Sequence, residues 1–228
     1  SAKHYYCGRA AENGVISNIL AMNGSNGPLD VFEDRNGIIS ILNDKVFEHS
    51  YINKIGKEFG LLNPGVDIKK YPVCYASHAA VDGVKSIIDS KNISIDNIDK
   101  IVCTVPPIIA SNLTFQNPKT VKEAQFSLEF SIAMMLKYGD IKLEHLSSEY
   151  IMDSDIKKLI NKVEMNVGDL PKNVKPSTKV CPEWSNVELF TKSGEGHEKF
   201  VGAPLGSSIN PLTGNMLYKK FNSCVKFS

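Results

Sequence analysis

Strand-forming runs in this sequence are confined to its middle, while apolar stripes at helical spacing occupy both ends. That division points to an α+β segment flanked by helices. Near the start, Val15, Ile16, Ile19 and Leu20 share one face of a packed helix expected over residues 10–22, with Asn23-Gly24 as its stop. A turn over residues 24–28 then leads to two short helices joined by a loop, the second at the apolar run 38–42. Mixed charge over 44–65 ends in Asn63-Pro64-Gly65, a strong turn signal and an expected domain boundary.

The next helix is expected over residues 77–90, with Ala80, Val81, Val84, Ile87 and Ile88 as its apolar stripe and Ser77 as N-cap. Residues 99–105, dense in β-branched side chains, read as a strand that stops at Pro106-Pro107, and a long loop follows. Residues 120–138 predict a helix that buries Met134, Met135 and Leu136 and closes on Gly139. A short helix over 153–160 follows, opened by an Asp-Ser-Asp cap, and then a strand over 162–167. Strands at 186–191 and 198–201 face each other across the turn Ser193-Gly194-Glu195-Gly196, as in a hairpin. A last helix, 211–225, carries Leu212, Met216, Leu217, Phe221 and Val225 on one stripe.

Composition narrows the function classes. With 26 Lys and Arg against 25 Asp and Glu, and no basic block, the chain has no means of following a phosphate backbone, so no nucleic-acid partner is expected. The most apolar stretches, 101–110 and 131–136, are too short to span a bilayer, and no membrane association is expected. Five scattered cysteines without a CxxC pair suggest reduced thiols and a cytoplasmic setting, and no metal site is expected. The chain opens Ser-Ala-Lys, with neither an initiator methionine nor a secretory signal, so it is expected to be processed, cut or taken from something longer.

Four segments, in order, resemble motifs of the MmgE/PrpD family, which contains 2-methylcitrate dehydratase and cis-aconitate decarboxylase. Lys3-His4-Tyr5-Tyr6-Cys7-Gly8-Arg9-Ala10-Ala11 is similar to the family's Lys-x-x-His-x-Gly-Arg-Ala-Ala segment, with Tyr6 in place of the usual His. Lys69-Lys70-Tyr71-Pro72-Val73-Cys74, with Ser77-His78-Ala79-Ala80-Val81-Asp82, resembles its Lys-x-Tyr-Pro-x-Cys and Thr-His-Pro-x-Asp-like stretch and is the most specific match. Ala124-Gln125-Phe126-Ser127-Leu128-Glu129-Phe130 looks like its Ala-x-Phe-Ser-x-x-Tyr helix start, with Phe130 where Tyr is common. Gly202-Ala203-Pro204, Asn210-Pro211-Leu212 and Lys220-Phe221 resemble its closing pattern.

The resemblance implies the C-terminal half of a two-domain enzyme: an α+β lid domain flanked by helices of a mostly α-helical domain whose front half is absent. On that map residues 1–62 belong to the helical domain, 63–203 form the lid, and 204–228 return to the helical domain. The implied activity is that of a lyase without cofactor, acting on a small polycarboxylate by elimination of water. The expected assembly is a homodimer or association with the N-terminal half.

Lys3 and Lys69 match lysines of the family's cleft and are assigned carboxylate binding and charge stabilisation. Ordinary solvated lysines are the alternative. His78, at an expected helix N-terminus, is assigned proton exchange or donation to a carboxylate, against a half-buried structural histidine. Ser77 and Ser127 are candidate carboxylate donors or N-caps. Phe130 and Tyr6 occupy substrate-binding positions but lack the groups usual there. Their presence points to a different family reaction, such as an epimerisation or a dehydration with another donor, or to lost activity; decarboxylation and a non-catalytic, partner-dependent or carboxylate-binding module are the further alternatives.

Overall fold

The computed structural model describes residues 2–42, 48–175 and 179–227. The chain divides into two compact units, Ser1–Phe59 and Gly60–Ser228.

In the first unit, helix α1 spans Ala2–Met22 and α2 spans Ile38–Leu42. The first helix starts well before residue 10, because residues 2–9 hold no proline and an Arg9–Glu12 ion pair at 2.6 Å spans one turn there. Its stripe is open: Val15, Ile16, Ile19 and Leu20 are 45–62% exposed, so the packing expected of this helix is not made among the described residues. Only one helix forms over residues 24–42. The stretch before α2 is a run of turns, tied down where the Gly37 amide donates to Asp34 and the Ile38 amide to Val31.

The second unit holds the core. Helix α3 (His78–Lys91) is followed by strand β1 (Ile98–Val105), then by α4 (Pro107–Asn112), α5 (Val121–Ala124), α6 (Leu128–Tyr138), α7 (Ser148–Met152) and α8 (Ser154–Ile160). Strand β2 (Val163–Val167), the hairpin β3 (Ser185–Thr191) and β4 (Gly196–Val201), and helix α9 (Gly214–Phe227) complete it. The architecture is α+β. Among the described residues the sheet has four strands in the order β2-β1-β3-β4. Strands β1 and β2 pair in parallel, the other two pairs antiparallel, so the sheet is mixed. The parallel pair requires a crossover, and α4 to α8 supply it.

Helices α3 and α6 bring Val81, Val84, Leu128, Ile132 and Met134 to a shared core with Ile101, Cys103, Val187 and Leu189 of the sheet. Gly83 sets the depth of α3: a Cβ there would stand 2.7 Å from Val187 Cγ2. Met134 and Met135 fill core space, as expected, and Gly139 closes α6 at φ 70°.

Two local readings need correction. Pro106-Pro107 does more than stop β1. Pro107 takes the first position of α4, where its missing N–H costs nothing, so the expected long loop begins with a helix. The single helix expected over 120–138 is two. Thr120 caps α5 by accepting from the Glu123 amide at 3.3 Å, and Ser127, in extended conformation, starts α6 afresh by accepting from the Phe130 amide at 3.1 Å.

Candidate active site

The segment 67–78 carries three of the candidate residues and is fixed at both ends. The Ile68 amide donates to the Gly206 carbonyl at 2.7 Å, and the Ser208 amide to the Asp67 carboxylate at 2.7 Å. Gly206 has φ +104°, and a Cβ there would meet the Ile68 oxygen at 2.1 Å, so only glycine permits this approach. Farther along, the Cys74 amide donates to the Gln125 carbonyl at 2.7 Å, joining the segment to the α5–α6 junction.

Between these anchors Asp82 of α3 acts as a hub. Tyr71, fully buried, donates its hydroxyl to one carboxylate oxygen at 2.9 Å, and the Leu205 amide donates to the other at 2.7 Å. Lys70 Nζ stands 3.5 Å from the same carboxylate and 4.6 Å from the centre of the Tyr71 ring. Burial, and then the Asp82 charge, push the Tyr71 hydroxyl far above its ordinary pKa, so it stays a donor.

His78 is the first residue of α3 and has no solvent exposure. Its ring lies 5.1 Å from that of Tyr71 and 4.9 Å from that of Tyr75, centre to centre. Burial, and then the nearby Lys69 charge, lower its pKa from 6.5 to about 3, so the imidazole is neutral at neutral pH. The Tyr71 and Val73 carbonyls oppose that shift, yet neither ring nitrogen reaches good hydrogen-bond geometry with a group among the described residues. Lys69, on the exposed side, donates to the Val73 carbonyl at 3.2 Å.

The Tyr75 hydroxyl is also buried without a bond of good geometry, although Ser207 lies beside it. Among the described residues four buried side-chain polar atoms lack a partner; three belong to Tyr75 and His78 and the fourth to Asn186. Polar atoms buried without a well-aligned partner cost free energy and are rare in folded proteins, and three of these four lie at the start of α3.

The structure gathers Lys69, Ser77 and His78 in this one segment. Ser77 does not cap α3: it sits in the helical region at φ −85° inside a 3-10 turn, and its hydroxyl turns back to donate to the Cys74 carbonyl at 2.9 Å. Ser127 does cap its helix, and its hydroxyl also lies 3.4 Å from the Glu129 carboxylate. Phe130 is fully buried in the core. Tyr6 lies in the first unit, exposed on α1, with its ring edge-on to that of Tyr5. Lys3 belongs to α1 by its backbone, and its side chain lies outside the described residues.

Sequence reading gave no role to Asp82, Tyr75 or Glu129. Asp82 is i+4 from His78 on the same helix, a spacing that could have drawn notice. Glu129 is a carboxylate inside the apolar run Leu128 to Leu136; burial raises its pKa. No feature of the sequence distinguished Tyr75. No group of three or more His, Cys, Asp or Glu side chains suited to a metal ion occurs among the described residues.

Compared with curated proteins, the chain finds no match. The model of the MmgE/PrpD C-terminal domain matches residues 71–228, from the Tyr71-Pro72 pair through α9, with Lys69 just ahead of its first residue. That match covers more than half of the chain, which therefore belongs to the MmgE/PrpD family.

Proposed function

We propose that this chain is part of a lyase that acts on a small polycarboxylate, by elimination of water as in 2-methylcitrate dehydratase. The observation that carries the reading is a cation beside an uncharged imidazole: Lys69 is close enough to His78 to depress its pKa, and the ring is answered only by the Tyr71 and Val73 carbonyls, outside good hydrogen-bond geometry. Elimination next to a carboxylate builds negative charge on carboxylate or enolate oxygens, and a fixed cation stabilises that charge most in the transition state. Lys69 supplies the cation, with Lys3 as a second under this reading. Neutral His78 offers one N–H and one lone pair. A substrate carboxylate paired with the exposed Lys69 offsets its charge and raises the proton affinity of the ring, which moves it toward proton exchange at neutral pH.

In this reading residues 63–203 serve as a lid over a helical domain, to which 1–62 and 204–228 contribute, and the reaction calls for no cofactor. No helix among the described residues is long and apolar enough to cross a membrane; a cytoplasmic enzyme, assembled as a homodimer or with an N-terminal half, is the setting we infer.

The test is a panel of 2-methylcitrate, citrate, cis-aconitate and iminodisuccinate with the full-length protein. Lys69→Ala is expected to lower kcat/KM on the substrate turned over by about 10²–10³-fold; unchanged turnover would refute its role. Carbon dioxide release from cis-aconitate, or inversion of iminodisuccinate, would replace dehydration with decarboxylation or epimerisation. Absence of turnover on all four favours the second reading, a partner-dependent or polycarboxylate-binding module, which the open apolar stripe of α1 supports.

A further inference from the structure

A groove in the second unit, between α9 and the turn at residues 140–143, gathers cations for which the proposed catalysis has no use. Its deeper part, about 260 Å³, is lined by Lys70, Lys142, Lys219 and Lys220 against a single carboxylate, Asp140, with Leu212 and Met216 among its apolar side chains. A neighbouring hollow of about 500 Å³ shares Asp140, Lys142 and Lys219 and adds Glu144 and Lys226.

These charges are incompletely neutralised. Lys70 leans toward Asp82 and Lys142 toward the exposed Glu144, each at 3.5 Å, whereas Lys219, Lys220 and Lys226 form no ion pair among the described residues. Ammonium groups converging on a concave, partly apolar surface concentrate a positive field there, because the apolar wall screens less than water does. A singly charged ion would leave most of that field unmatched.

We propose that this groove binds a small multivalent oxyanion, a compound bearing two or more carboxylate or phosphate groups, at a site separate from Lys69 and His78. Lysines act as point charges and do not by themselves separate the two kinds of oxyanion. Leu212 and Met216 provide contact for a short carbon chain between the ligand's charged ends.

Cys224 lines the groove and is exposed, and an added cysteine-containing peptide serves as the reagent control. Maleimide alkylation of both is followed by peptide mass with the full chain at low salt, with inorganic pyrophosphate or citrate added separately. At about ten times its Kd, a ligand in the groove slows alkylation of Cys224 by about tenfold and leaves the control peptide unaffected. Added potassium chloride weakens the protection. Lys219→Glu/Lys220→Glu abolishes it, Lys219→Gln/Lys220→Gln reduces it, and Lys69→Ala leaves it intact. Protection by pyrophosphate alone assigns a phosphate ligand, and by citrate alone a carboxylate ligand. The proposal fails if neither compound protects Cys224, if protection survives both double variants, or if Lys69→Ala removes it. It also fails if Cys224 is unreactive before any ligand is added, since the groove would then be covered by protein.

Discussion

His78 makes the stability of the second unit sensitive to acid. In the folded chain its pKa is about 3, against 6.5 for an unperturbed imidazole, so between those values the unfolded chain binds the extra proton. Stability therefore rises with pH across that window: the contribution is complete above about pH 6.5 and is lost progressively as pH falls toward 3. The whole shift corresponds to at most roughly 5 kcal/mol. Urea midpoints measured from pH 7 to pH 4 are expected to fall more steeply for the native chain than for His78→Gln, which cannot titrate; parallel curves would mean that the ring is not held neutral by burial. Glu129 responds in the opposite sense. Burial raises its pKa, so its carboxylate is least costly when protonated, and its contribution declines as pH rises through the folded value. His78 and Glu129 thus pull the stability profile in opposite directions on the acid side of neutrality.

Helix α3 owes its position to Gly83 as much as to its apolar stripe. With Val187 Cγ2 only 2.7 Å from where a Cβ would be, Gly83→Val must push the helix away from β3 or force side chains off their rotamers. A loss of about 1–3 kcal/mol is expected in chemical denaturation, and an unchanged midpoint would mean that α3 sits farther from the sheet. The helix itself was legible from Ala80, Val81, Val84 and Ile87, and β1 from its β-branched run, because periodicity reports which face is buried. The hairpin was legible from its Gly-rich turn. What periodicity does not report is a local contest between side chain and backbone. Ser127 divided an apparently continuous helix by taking a backbone amide for its hydroxyl, and Pro107 began a helix where a proline pair read as a stop. The site was legible only in part for a related reason. Lys69, Ser77 and His78 are neighbours in sequence, whereas the partners of Asp82 come from Tyr71 and from Leu205, which no local pattern connects.

At the scale of the whole chain, apolar burial is distributed unevenly. The core cluster runs from Tyr71 to Leu189 and belongs entirely to the second unit. In the first unit, apart from Gly37, the described residues whose burial is known are not buried, and Tyr5, Tyr6, Val15, Leu29, Phe32 and Ile41 are all exposed. A helix whose apolar face is unburied depends on its own backbone bonds and lacks the tertiary packing that supplies most helical stability in proteins. The first unit is therefore expected to open locally at a much smaller free energy than the second. Brief digestion of the full chain with a nonspecific protease should remove residues up to about Phe59 first and leave a fragment beginning near Gly60. Because the trimmed segment contributes little buried apolar surface, the melting transition of that fragment should lie within a few degrees of the full chain's. Early cleavage within α3, α6 or the sheet would show that the core does not dominate stability. A fragment that melts far below the full chain would show that the apolar stripe of α1 is covered in solution.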